Sequence, residues 1–138
     1  MKYLKAFISL LFFVAGATAD THYVAPPGVG INPSGNFTNW NIAATSIIDA
    51  VNAASNGDTV LVSNGVYYLT NQVYISTSIR ISSWNNGEID REGTVIDGHN
   101  YNGKLVTNRC FYINNTGAVV EGFTITNGRY MNSTWQDC

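Results

Sequence analysis

The chain has 138 residues, a formal net charge of −2 at pH 7 and only 12% charged side chains. That length holds one domain at most. With 7 Lys and Arg against 9 Asp and Glu, and no basic stripe, the sequence argues against nucleic acid as a partner.

The first element is a leader. Lys2 and Lys5 begin it, Ala6 to Val14 form its apolar centre, and Ala17-Thr18-Ala19 is a small-x-small cleavage site before Asp20. Met1–Ala19 is therefore expected to be a secretory signal peptide, and the mature chain to be secreted, extracellular or at the cell surface. The apolar run is too short for a membrane span, so no stable membrane insertion is expected after cleavage. Both leader lysines leave with the peptide. Arg80, Arg91, Lys104, Arg109 and Arg129 then face 9 carboxylates.

Residues 20–42 read as an opening strand and loop. His22-Tyr23-Val24-Ala25 suits a short strand, and Pro26, Pro27, Gly28, Gly30, Pro33 and Gly35 mark the loop. The next run, from Ala43 to Tyr68, organises the rest of the chain. Ile47, Ile48, Val51 and Ala54 fall on one face of a helix. Thr45 or Ser46 is placed to cap it, and Asn56-Gly57 to end it. A helix this short cannot stand alone, so its apolar face must cover the strands beyond.

Those strands are short runs between turns. The candidates are Val60–Val62, Tyr67–Leu69, Val73–Ile75, Ile79–Ser83, Thr94–Ile96, Cys110–Ile113 and Val119–Ile125. In the last run, Val120 and Phe123 both face inward only if the chain turns at Glu121-Gly122. Asn-Gly pairs recur at positions 56, 64, 86, 102 and 127. Their amides either bond to the layers above and below or simply favour turns. An antiparallel sandwich competes as an architecture. The single early helix and the lack of long alternation favour a parallel stack.

The helix, followed by Gly57 to Val62 and Gly65 to Tyr67, resembles the start of a secreted right-handed parallel β-helix of the pectate-lyase-like superfamily. Thr94–Gly98 (TVIDG) and Val119–Gly128 (VVEGFTITNG) resemble its later coils. The resemblance runs from Thr21 to Gly128 and implies an all-β fold: three or four coils behind a short N-terminal capping α-helix. Residues 43–138 would be that helix and the first coils. Met131 to Cys138 shows no closing cap, so the stack is expected to continue beyond Cys138.

The scaffold does not by itself imply an activity. In some relatives an acidic glycine-rich loop near the start resembles a metal site. Here no acid lies between Asp20 and Asp49, so no metal is expected. Asp58 and Asp97 read as turn residues that bond nearby amides. Asp97 lies in a segment similar to the structural IDG run of polygalacturonases, whose catalytic patterns are absent here. His99 lacks a partner at ligand spacing, and His22, at the mature N-terminus, says less. Glu88, Asp90, Arg91, Glu92 and Asp97 read as a solvated loop rather than a Ca²⁺ loop. Arg80, Arg109 and Arg129 lack the aspartate group that accompanies the arginine base of pectate lyases. Trp84, Tyr101, Tyr130 and Trp135 suit either sugar stacking or loop cover.

Cys110 and Cys138 are the 2 cysteines, and whether they pair is open. Asn36, Asn114 and Asn132 head glycosylation sequons. No catalytic, cofactor-binding or metal residue is assigned, and no cofactor is expected. The expected function is a non-catalytic surface scaffold, adhesin or carbohydrate-binding module, with a polysaccharide as partner. The alternative is the N-terminal part of a polysaccharide lyase or glycoside hydrolase whose site lies beyond Cys138.

Overall fold

The computed structural model describes residues 18–28, 32–99 and 109–129. Met1 to Ala17, Gly30, Tyr101, Asn102-Gly103, Lys104, Tyr130, Asn132, Trp135 and Cys138 lie outside them. Among the described residues the chain is β-rich, with parallel sheets and one α-helix. The strands are β1 (Thr21–Val24), β2 (Thr59–Ser63), β3 (Gly65–Tyr68), β4 (Val73–Ile75), β5 (Arg80–Trp84), β6 (Thr94–Asp97), β7 (Phe111–Ile113), β8 (Val119–Glu121) and β9 (Thr124–Thr126). The helix α1 spans Ile47–Ala53, after a short 3-10 turn at Trp40–Ile42.

Three sheets form, in the orders β1-β2-β5-β8, β3-β6-β9 and β4-β7. From β2 onward the chain visits them in one fixed rotation, and β5 and β8 each start it again. Every strand pairing among the described residues is parallel, which rules out the antiparallel sandwich. Successive layers therefore sit a strand spacing apart, about 4.8 Å.

The core is a set of inward columns. Val60 pairs with Ile81, and Ile81 with Val120. Tyr67 pairs with Ile96, and Val73 and Ile75 with Phe111 and Ile113. β2 alternates buried and half-buried residues because adjacent side chains point to opposite faces. Each fully buried Val or Ile contributes roughly 1.5–3 kcal/mol. The columns open at the far end: Ile75 is fully buried, but its neighbour Ile113 is 47% exposed.

Helix α1 packs against β1, β2 and β4 and buries Ile47, Ala50 and Val51. Ile48 is only partly buried. Ser46 is the N-cap residue, yet its side chain makes no capping bond, so the hydroxyl cap expected there does not form. The helix stops at Ala53, ahead of Asn56-Gly57; Ala54 is already extended. The turn after it is closed by Asp58 N–H donating to the Ser55 carbonyl at 3.1 Å.

Other boundaries shift for physical reasons. The strand expected at Tyr67–Leu69 starts earlier, at Gly65, because Gly65 N–H already bonds the Gly93 carbonyl of the next layer at 2.8 Å. The run Val119–Ile125 splits into β8 and β9 at Gly122, whose φ of +76° suits glycine and makes the corner. Asparagine amides do tie layers together, though mostly to partners other than asparagine. Asn56 Oδ1 accepts from Ser78 N–H at 2.8 Å, and Asn115 Nδ2 donates to the Ser76 carbonyl at 3.1 Å.

Candidate functional site

β2 and β5 end together, with Ser63 beside Trp84 in the parallel ladder. The chains then leave the sheet side by side as Asn64 and Asn85. Together with Trp40 and Asn86 these residues line a surface cleft of about 310 Å³. Trp40 comes from the 3-10 turn, where its ring packs on Tyr23 with centroids 4.5 Å apart at 59°. Two indoles thus meet at a site floored by amides.

The amides are held from behind. Asp90 Oδ2 accepts from Asn64 Nδ2 at 2.8 Å and from Asn85 Nδ2 at 3.0 Å. Its Oδ1 accepts from Gly93 N–H at 2.9 Å, and its own N–H donates to Ser83 Oγ at 3.0 Å. Asn64 Oδ1 accepts from Thr94 Oγ1 at 3.2 Å. The Gly93 N–H, with Asn64 and Asn85, holds the Asp90 carboxyl below its ordinary value of 3.8 against the opposing effect of burial. Asp90 is thus an anion used to orient two neutral amides.

Asn86 reaches the rim on a tight turn. Asn85 and Glu88 exchange backbone bonds at 2.8 and 3.0 Å. Between them Asn86 and Gly87 adopt φ of +50° and +101°, the conformation of a type I′ turn. Tyr67, buried and not part of the cleft lining, donates its O–H to the Ser63 carbonyl at 2.8 Å. Burial pushes the Tyr67 hydroxyl up to about 12, so it stays a donor at any ordinary pH. The cleft therefore offers aromatic faces, amide donors and acceptors, and the Ser63 hydroxyl.

Other clusters are less suited to ligands. A groove of about 420 Å³ runs between the start of α1 and β3, lined by Ile48, Val66, Tyr68 and the carboxylate of Asp49. It is larger than the cleft, but among the described residues no second carboxylate lines it. Asp90, Arg91, Glu92 and Glu121 line an open depression on the loop expected to be solvated. Asp90 is already engaged there, and Glu121 pairs with Arg80. Among the described residues no group of three His, Cys, Asp or Glu could hold a metal ion.

Asp97 acts at its turn, as expected, by accepting from His99 N–H at 2.9 Å. It also receives Asn127 Nδ2 at 2.8 Å, and His99 Nδ1 lies 3.2 Å away. Burial pushes the Asp97 carboxyl up, but these donors outweigh it and the net shift is downward. His99 is thus not the partnerless side chain the sequence suggested. Cys110 is buried and free, and its Sγ faces the Thr126 carbonyl at 3.6 Å. Burial, with Asp97 adding to it, raises the thiol, so it is no ready nucleophile. Of the arginines, Arg109 lies 5.0 Å over the Tyr112 ring, and Arg129 is exposed.

His22 also has partners. It is 2% exposed on the inward face of β1, with Nε2 3.1 Å from Asp58 Oδ2 and Nδ1 2.6 Å from the Asn36 carbonyl. The alternation of Thr21-His22-Tyr23-Val24 was the available signal, since it puts His22 on the same face as Val24.

Comparison with family models, curated proteins and solved structures finds no match.

Proposed function

We propose that this chain is a secreted right-handed parallel β-helix that binds a neutral glycan in the Trp40–Trp84 cleft and does no chemistry on it. The fixed rotation through three parallel sheets supports the β-helix, and the strong bias of parallel crossovers supports the right hand. The leader pattern of Met1–Ala19 supports export.

The observation that carries the binding reading is the pairing of two indoles with Asp90-oriented amides. Sugar rings present apolar C–H faces and a rim of hydroxyls. Indoles take the first, and amides both donate to and accept from the second. A volume of about 310 Å³ lies at the small end of ligand sites. Among the described residues no Lys or Arg lines the cleft, so a neutral sugar suits it better than a uronate.

Hydrolysis needs two carboxylates about 5–9.5 Å apart across the bond. Elimination needs a base and a cation beside the uronate carboxylate. Asp90 is committed to Asn64 and Asn85, and Arg80 to Glu121. The test is calorimetry with neutral oligosaccharides and with polygalacturonate, on wild type and on Trp84→Ala. Binding of a neutral sugar that Trp84→Ala weakens about tenfold or more supports the reading. Tighter binding of polygalacturonate, or release of unsaturated or reducing ends, would refute it.

A further inference from the structure

Asp58 lies in the turn before β2 and is only 6% exposed. Its Oδ2 accepts from Ser55 N–H at 2.7 Å and faces His22 Nε2 at 3.1 Å. Its Oδ1 accepts from the backbone nitrogen of Asp20 at 2.8 Å. That nitrogen belongs to the bond expected to be cut when the leader is removed. The Asp20 carbonyl accepts from Thr59 N–H at 2.9 Å, so Asp20 already extends the β1–β2 ladder. Thr18 and Ala19 are exposed, so the bond is accessible from solvent.

We infer that Asp58 is a binding site for the chain's own processed N-terminus, and that leader removal locks β1 onto the stack. The inference rests on the leader reading. In the cut, water adds across the Ala19–Asp20 amide under a leader peptidase. Ala19 leaves as a carboxylate, and Asp20 nitrogen becomes an ammonium. One neutral N–H is thereby replaced by three donors and a full positive charge at the same atom. Charge-assisted bonds, such as those between an ammonium and a carboxylate, are roughly twice as strong as neutral ones.

The charges around the site fit this role. His22 Nδ1 lies 2.6 Å from the Asn36 carbonyl and Nε2 3.1 Å from Asp58 Oδ2, so the ring packs against the second carboxylate oxygen. The ammonium takes Oδ1, while Oδ2 keeps the Ser55 N–H and faces the His22 ring. The Asp20 side chain adds one exposed carboxylate. From β5, Arg80 donates its backbone N–H to the Asp58 carbonyl at 3.0 Å, while its guanidinium pairs with Glu121 of β8. An amine held by a carboxylate has a raised pKa. Its stabilisation is complete below the unfolded value of about 7.7–8.0 and is lost as pH rises through the folded value.

The experiment compares the chain that starts at Asp20 with the same chain acetylated on Asp20, which restores a neutral amide. The free amine should raise the thermal midpoint at pH 6 by about 4 °C. The gap should close by pH 10 and be absent in the Asp58→Asn pair. NMR should place the amine above its ordinary range of about 7.7–8.0. Equal midpoints at pH 6, or an ordinary amine, would overturn the lock alone. N-terminal sequencing of exported protein showing a cut elsewhere would overturn both the leader reading and the lock.

Discussion

Asn64 donates from Nδ2 to Asp90 Oδ2 at 2.8 Å, joining the end of β2 to the loop that precedes β6. The same oxygen receives Asn85 Nδ2 at 3.0 Å. One carboxylate therefore fixes the rotamers of two cleft amides that would otherwise swing in solvent. Pre-set polar groups lose less entropy when a ligand binds.

Asp90→Ala should for this reason damage binding more than folding. The indoles stay, but Asn64 and Asn85 lose their common acceptor. Neutral-sugar affinity should fall about tenfold, while the thermal midpoint moves little. Calorimetry and a melting curve on one sample check this. A large loss of stability with intact affinity would make Asp90 a loop staple and nothing more.

The helix makes a separate prediction. Val51 is buried where α1 packs over β1, β2 and β4. Val51→Asp would bring an unpaired carboxylate into that contact at a cost of about 3 kcal/mol. Asn52→Asp, one position on and exposed, should be near neutral. Urea midpoints of the two variants compare them. Equal midpoints would mean that α1 does not close the stack.

Much of this architecture was legible in the chain. Ile47, Val51 and Ala54 repeat at helix spacing, and the short β runs between Asn-Gly turns give a stack its rhythm. Contacts that depend on register were not legible. Trp40 and Trp84 are far apart in sequence, and only the parallel pairing of β1 with β2 and of β2 with β5, with the 3-10 turn packed on β1, brings them to one cleft. Asp58 looked like a turn residue and is one, through Ser55. Its second face, toward His22 and Asp20, appears only when β1 lies on β2. The missing Ser46 cap has the opposite lesson: a favourable residue type stood in place and made no bond.

Acid should reveal Asp58. The N–H groups of Ser55 and Asp20, with His22, hold its carboxyl below the ordinary 3.8 despite burial. Its stabilising effect is full above that value and is lost as pH falls through the lower folded value. Asp58→Asn takes the carboxylate away from the Ser55 and Asp20 N–H groups and from His22, and should cost about 2 kcal/mol at pH 6. The deficit relative to wild type should shrink as pH drops below 3.8. Chemical denaturation at several pH values measures this, and a deficit independent of pH would assign the loss to packing alone.

The proposed sugar cleft between Trp40 and Trp84 is tested most directly by a titration of the ¹⁵N-labelled mature protein. Neutral oligosaccharides are added and the indole N–H signals followed. The Trp40 and Trp84 signals, assigned by single Trp→Phe variants, should move together and saturate with one shared affinity. The proposal is contradicted if both signals stay fixed at millimolar sugar, or if they move with different affinities.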